Sequence, residues 1–315
     1  MRSPIANESP GNAPKLAAPL PQAAARVLGS RYPQVMWGIH SGLAGFVDGA
    51  AGLVDYLRVY TLNRLGRPVR IKVAGSSYYL NPEPTAIYHA RHSVSKVARM
   101  VELINDASSV FDVGANCGLF SALCAQKFPA ATIHAFEPAK ALQPILALNC
   151  SSDNIAVHQL AVGERNELVN LYVNPNSQQT NSLQLSSVEA FLDPHKVETE
   201  LTRCVAVDSF VAENAIDPID VLKVDVQGFE GAVLRGARTA LKEVQYLFVE
   251  MSWLDPEGVQ RILPAVENYG FNHVAVVNPV YTGADLLFTR ERLVTEVPNV
   301  LHFPLGDDTA GKPWF

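Results

Sequence analysis

Val110-Phe-Asp-Val-Gly-Ala-Asn-Cys-Gly-Leu-Phe-Ser121 is the stretch from which the rest of the chain can be read. A short apolar run ends in a carboxylate, Asp112. A glycine-spaced turn follows (Gly114, Asn116, Gly118), and a helix-forming run then begins. Glycines let the backbone approach a ligand closely, a helix N-terminus offers free amides, and the carboxylate takes a cationic or hydroxyl group. Two further carboxylates close strand-like runs: Glu137 after Thr132-Ile-His-Ala-Phe136, and Asp225 after Val221-Leu-Lys-Val224. Three acidic strand ends in order are what a parallel α/β sheet presents to a nucleotide-like ligand.

Working outward from Ser109, strand, turn and helix alternate. The pattern predicts strands at 109–113, 132–137, 155–159, 219–224, 244–250, 273–277 and 285–289. It predicts helices at 119–128, 139–150, 208–214, 229–242 and 257–269. In the helix after Gly228, Val233, Leu234, Ala237 and Leu241 form one apolar stripe suited to a sheet face. Such alternation implies a Rossmann-like α/β fold: a mostly parallel sheet with helices on both faces, whose strand ends share one edge. From Val169 to Val205 the rhythm breaks. A strand-like Leu171-Tyr-Val173 leads into the polar Asn174-Pro-Asn-Ser-Gln-Gln-Thr-Asn-Ser182, an insertion expected to line a substrate entrance.

The N-terminal side reads differently. Residues 1–33 are rich in Ala, Pro, Ser and Asn and read as a loosely ordered tail. Residues 34–104 read as a cap over the sheet, and 105–315 as the ligand-binding domain. The cap holds a hairpin-like piece, Val69-Arg-Ile-Lys-Val73 to Tyr78-Tyr-Leu80, with Ser76 and Ser77 expected in the turn, and a helix from Pro84 to Leu103.

Composition narrows the partners. With 315 residues, 18% charged and a net charge of -6, the chain lacks the concentrated Lys and Arg that nucleic acid requires. Cys117, Cys124, Cys150 and Cys204 form no C-x-x-C pair and have no His at zinc-ligand spacing; they read as small apolar residues of a reducing cytosol, and no metal site is assigned, while the paired carboxylates near Asp225 leave a magnesium-assisted variant open. The N-terminus has no basic region followed by an apolar core, so a secretory signal is not expected. The apolar stretch Ser41 to Tyr60 is interrupted by Asp48, Asp55 and Arg58, so no membrane span is expected either. A cytoplasmic protein is expected; the oligomeric state stays open, a homodimer included.

Three nucleotide ligands compete for the turn. A phosphate-binding P-loop needs G-x-x-x-x-G-K-[ST], which is absent. A dinucleotide fingerprint needs G-x-G-x-x-G, but Asn116 stands at its middle position and would crowd a pyrophosphate. S-adenosylmethionine has no phosphates. It needs a carboxylate or carbonyls for its amino group, a turn that admits the methionine moiety, and an acid at the next strand end for both ribose hydroxyls. Asp112, Gly114, Asn116 and Glu137 meet those needs.

These residues belong to a longer series: Asp112-Val-Gly-Ala-Asn-Cys-Gly118, Ala135-Phe-Glu-Pro138, Ala161-Val-Gly163, Thr180-Asn-Ser-Leu183, Val207-Asp-Ser-Phe210 and Leu222-Lys-Val-Asp-Val-Gln-Gly-Phe-Glu230. In this order, over about Val110 to Glu250, the series resembles the FkbM-type S-adenosylmethionine-dependent methyltransferases. The resemblance implies the class I methyltransferase sheet, seven-stranded with an antiparallel last strand. It also implies methyl transfer, usually to a hydroxyl of a sugar, polyketide or other natural product. Where many members carry Glu, this chain has Gln227, which removes one candidate base.

The candidate donor-binding residues are therefore Asp112, Gly114, Asn116, Gly118, Glu137, Pro138, Ala161 and Asp225. The backbone around Ala161-Val-Gly163 would frame the adenine edge. Asp225, Glu250 and His92 are the candidate bases. Each has a plainer alternative. Asp112 suits a helix N-cap, Glu137 a solvated strand end, and Gly163 a simple turn. Asn149 suits a helix C-terminal cap, Glu230 a partner for a helix dipole, and His89 with His92 an exposed polar face. His134 inside a strand suits packing. Lys223, alternating with Asp225, shares its face and would hold it ionised. The acceptor is expected to be a small molecule or a peptide-derived product. N-methylation of an amide or amine is a second reading; an NAD-dependent oxidoreductase or a silent nucleotide-binding module is a third.

Overall fold

The computed structural model describes residues 58–82 (without 59, 63 and 74–75), 94–252 (without 190–191), 262, 266, 268–280, 283–293 and 300–304. Strands β1 (Val69–Val73) and β2 (Ser76–Leu80) form an antiparallel hairpin. Ser76 and Ser77 are not in its turn: they pair with Val73 and Lys72 inside the ladder. Helix α1 (Val94–Glu102) follows. The earlier part of the expected helix, the tail, and His89 and His92 lie outside the described residues, as does most of the helix expected over 257–269.

The alternating region then supplies β3 (Ser109–Val113), α2 (Leu119–Lys127), β4 (Thr132–Phe136), α3 (Gln143–Asn149) and β5 (Ile155–His158). Next come β6 (Ala161–Gly163), β7 (Glu167–Val173), α4 (Leu185–Glu189), β8 (Glu198–Ala206) and α5 (Val207–Glu213). The chain closes with β9 (Val221–Val224), α6 (Glu230–Arg235), β10 (Tyr246–Ser252), β11 (His273–Val280), β12 (Gly283–Thr289) and β13 (Val300–Pro304).

The main sheet runs in the order β13-β11-β12-β10-β9-β3-β4-β5. β5, β4, β3, β9 and β10 are parallel neighbours, and β12 runs antiparallel between β10 and β11. Without β13 this is the expected seven-stranded class I methyltransferase sheet. β13 extends it as an eighth strand, antiparallel to β11. The central strands are buried from end to end, β3 over all five residues and β9 over all four. Burial on both faces explains why their sequences read as near-continuous apolar runs. Alternate β3 side chains enter different cores. Val110 joins Tyr78, Leu80, Met100 and Phe120 beneath the hairpin, α1 and α2, while Phe111 and Val113 join Phe210, Leu222 and Val233 on the opposite side. The described part of the cap thus shares its core with the sheet.

Two glycines show why this chain turns where it does. Gly114 has φ +77°, and a Cβ there would lie 1.8 Å from the Asp225 carbonyl oxygen, so the turn can cross the end of β9 only as glycine. With Gly236 as its cap, α6 ends at Arg235, seven residues before the end expected from the sequence. The absent side chain of Gly236 lets it rest on Gly163, whose oxygen would lie 2.1 Å from a Cβ. Val233, Leu234, Ala237 and Leu241 are nevertheless all buried, because the chain continues into a 3-10 turn over Ala240–Lys242 on the same face. β6, β8 and β7 form a separate three-stranded sheet, so the region that broke the rhythm is a folded insertion.

At the opposite edge, His134 of β4 and His158 of β5 share a hydrogen bond, Nδ1 to Nε2, at 3.0 Å. His158 stacks on Phe136 at 4.8 Å, and the edge of Phe210 meets it at 4.9 Å. His134 is thus packed, as its position inside a strand suggested. Burial and the neighbouring His134 lower the His158 pKa from 6.5 to about 4, and burial lowers that of His134. Between those values the unfolded chain binds a proton that the folded chain refuses, so stability falls as pH drops from 6.5 toward 4. In thermal melts across that range the native protein is expected to show a steeper acid-side loss than the variant His134→Phe/His158→Phe; equal slopes would contradict this.

Candidate functional site

A cavity opens where the parallel strands end. Its walls come from the glycine turn, the ends of β4 and β9, the start of β6, the insertion and α1. Gly114, Asn116, Glu137, Pro138, Ala161, Asp225 and Glu250, all singled out from the sequence, line it together. Its apolar lining includes Leu160, Ala161, Val162, Leu171 and Leu183. Lys96, Asp225, Gln227 and Glu250 form a linked charged and polar cluster in its wall.

Asp112 does not line the cavity. It is fully buried, facing the same side of β3 as Val110, and accepts from Ser121 Oγ at 2.7 Å and Lys223 Nζ at 3.0 Å. The cap of α2 is Gly118 with no side-chain bond, so Asp112 is not its N-cap; it anchors Lys223 from below. Gly118 also lies beneath the surface. A Cβ there would meet Cys150 Sγ at 2.5 Å and Leu146 Cδ1 at 2.7 Å, so the glycine serves the packing of α2 on α3. Gly163 packs under Cys204 and Phe229 in the same way. Asn149 is no terminal cap: its side chain exchanges bonds with Tyr79 N (2.8 Å) and Tyr79 O (2.7 Å) and donates to Cys117 O, clamping the hairpin to the glycine turn. Glu230 accepts from Val226 N at 3.2 Å and Gly228 N at 3.0 Å, stapling the turn after β9.

The turn itself departs from the expectation of free amides. Gly114 N and Ala115 N both donate to Phe136 O, at 3.0 and 2.9 Å. Asn116 N donates to Glu137 Oε2 at 2.9 Å, Cys117 N to Asn116 Oδ1 at 2.8 Å, and Gly118 N to Ala115 O at 2.8 Å. Five consecutive amides are therefore satisfied within the chain. Asn116 holds a left-handed φ of 52°, a conformation Asn tolerates better than most residues, and so supplies one of those acceptors. A pyrophosphate would have to displace these bonds; a ligand without phosphates would not.

Glu137 is buried, and its second oxygen accepts from Ala139 N at 2.9 Å. Burial raises its pKa to about 7 against the pull of those amides. Each oxygen still has acceptor capacity. Opposite, Lys223 Nζ reaches Asp112, Gly114 O at 3.2 Å and Asp225 Oδ2 at 3.8 Å. Burial works against its charge, but Asp112 and Asp225 raise its pKa. Asp225 shows the converse. Burial pushes its pKa up, yet Lys223 and Lys96 outweigh that and bring it to about 2. Glu250 is pushed well up, by burial and by the Asp225 charge beside it.

One participant was not foreseen, and one was expected only as a segment. Lys96 comes from α1, 3.4 Å from Glu250 and 3.1 Å from Asp285 of β12, and no local motif marks it. The insertion contributes Gln178, Asn181 and Ser182, held by a mesh in which Asn181 Nδ2 donates to Gln178 Oε1 at 2.9 Å and Gln178 Nε2 to Asn174 O at 3.3 Å. Its polar composition was the signal. Among the described residues no cluster of three or more His, Cys, Asp or Glu is arranged to hold a metal, and no helix is long and apolar enough to cross a membrane.

Known proteins match the part of the chain that builds this cavity. A family model described as the methyltransferase FkbM domain matches residues 112–273. Over 202 residues the chain is 26% identical to the 31-O-demethyl-FK506 methyltransferase FkbM of Streptomyces tacrolimicus, covering 56% of this chain and 77% of that protein. It is 30% identical over 190 residues to methyltransferase sdnD of Sordaria araneosa, covering 52% and 73%. It is 27% identical over 168 residues to the hexuronic acid methyltransferase AglP of Haloferax volcanii, covering 52% and 64%.

Proposed function

The chain belongs to the FkbM methyltransferase family, and from that premise we propose that it methylates oxygen, a hydroxyl of a sugar, polyketide or other natural product, with S-adenosylmethionine as donor. When bound, that donor supplies a methyl group already activated on a sulfonium. The single observation that carries the donor reading is the closed set of amides over 114–118, which leaves no cradle for a pyrophosphate. The rest of the cavity agrees. Glu137 would take the ribose hydroxyls at the strand edge, and Leu160, Ala161 and Val162 would cover the adenine. Gly114 and Asn116 would border the methionine moiety, between Glu137 and Asp225.

The residues of the charged cluster would bind and orient the acceptor beside Asp225. Its carboxylate, kept ionised by Lys223 and Lys96, would take the hydroxyl proton. Alignment of the acceptor and exclusion of water by the insertion would provide much of the acceleration. Two relatives carry acceptor names, 31-O-demethyl-FK506 and hexuronic acid, which support a hydroxylated acceptor over an amine.

Calorimetry is expected to detect S-adenosylhomocysteine binding and none for NAD. Binding of NAD alone would end this reading. Labelled methyl recovered on nitrogen from a mixed panel of alcohols and amines would move the acceptor to the N-methyl class.

A further inference from the structure

Gln227 holds a left-handed backbone, φ 55°, a conformation that is unfavourable for a residue with a side chain. Two contacts keep it there. Ser182 Oγ, from the insertion, donates to Gln227 O at 2.7 Å, and the next residue, Gly228 (φ +99°), donates its amide to Glu230 at 3.0 Å. The turn sends the Gln227 side chain into the cavity between two carboxyl groups. Its Nε2 donates to Asp225 Oδ1 at 2.9 Å and to Glu250 Oε2. An amide nitrogen carries two protons and serves both acceptors; a carboxylate in its place would serve neither.

We propose that Gln227 is a positioning residue that joins Asp225 and Glu250 into a pair sharing one proton, with the ionised carboxylate on Asp225 and its Oδ2 left to face the acceptor. Its catalytic purpose rests on the methyltransferase reading above. The groups packed around the pair set the charge balance. Lys223 of β9 lies 3.8 Å from Asp225, and Lys96 of α1 bridges Glu250 and Asp285 of β12. Asp112 of β3 holds Lys223 from below, and Glu230 of α6 sits under the turn. Among the described residues, Asp112, Asp225, Glu250 and Asp285 thus share the ammonium groups of Lys96 and Lys223. Two carboxylates in contact cannot both stay ionised cheaply, so a proton is retained. Burial and the Asp225 charge place it on Glu250. As the acceptor oxygen bonds the methyl carbon, the C–S bond breaks and its electron pair goes to sulfur, which leaves as a thioether; the O–H pair stays on oxygen and the proton passes to Asp225 Oδ2, leaving the pair neutral with two protons. Through Ser182 the same geometry ties the pair to the insertion.

Carboxyl-carbon NMR titration of the full chain tests this, with signals assigned by Asp225→Asn and Glu250→Gln. In Gln227→Met, similar in length but without the donor, the Asp225 midpoint is expected to rise by at least one unit, about tenfold in proton affinity. Ser182→Ala, which only loosens the turn, is expected to raise it less. Unchanged Asp225 and Glu250 midpoints in both variants would overturn the proposal. S-adenosylhomocysteine binding, measured alongside on the native chain, separates the two readings. Its absence would sink the methyltransferase assignment and leave the titration result standing.

Discussion

Asp225→Asn is expected to bind S-adenosylhomocysteine within a few-fold of the native chain while methyl transfer falls about 10²–10⁴-fold, the span typical of losing a positioned general base. The split follows from geometry. Asn keeps the size of the side chain and can still meet the Gln227 amide through its oxygen, so the cavity wall that Asp225 shares with Gly114 and Val226 should persist. What is lost is a carboxylate that two lysines hold ionised against burial. Donor affinity and transfer rate with a labelled donor, measured on one preparation, provide the check. Undiminished turnover would remove Asp225 from the chemistry, and a collapse of both quantities would mean that it builds the donor site itself.

Lys223→Met is expected to give the largest loss of stability, about 3–5 kcal/mol, as when one partner of a buried ion pair is removed. Lys223 is 7% exposed and Asp112 0%, so deleting the ammonium leaves Asp112 charged in an apolar interior with Ser121 as its remaining hydrogen-bond donor. Adding Asp112→Asn should therefore recover part of the loss, a coupling that a double-mutant cycle measures. Denaturant unfolding is the readout. A loss under 1 kcal/mol, within the range of exposed ion pairs, would show that water reaches this site.

Much of the scaffold was legible because its determinants are local. β3 was expected at its observed bounds, and the other strands of the seven-stranded sheet within a few residues, because period and burial are written into five to eight neighbouring positions. The helix after Gly228 was too long in the sequence reading because its apolar stripe survives a break at Gly236. That break comes from contact with Gly163, seventy-three positions away. The cavity residues were legible in part for the same reason. Glu137 and Asp225 end strands on the active edge, and Gly114 stands where only glycine can cross Asp225. Asp112 looked equivalent to them. One position from the end of β3, it turns inward to a lysine that lies 111 residues later.

From the amino-acid order alone came the alternation of elements, the shared edge of their ends, and the preference for a ligand without pyrophosphate through Asn116. Each follows from backbone conformation or side-chain period within a few residues. Which carboxyl groups face the cavity, that the amides of 114–118 are satisfied, and that Lys96 and Gln227 decide where charge resides became visible only in the folded chain. The reason is electrostatic. A buried charge depends on whatever neighbouring strands and helices bring within a few ångströms, and no local pattern records that meeting.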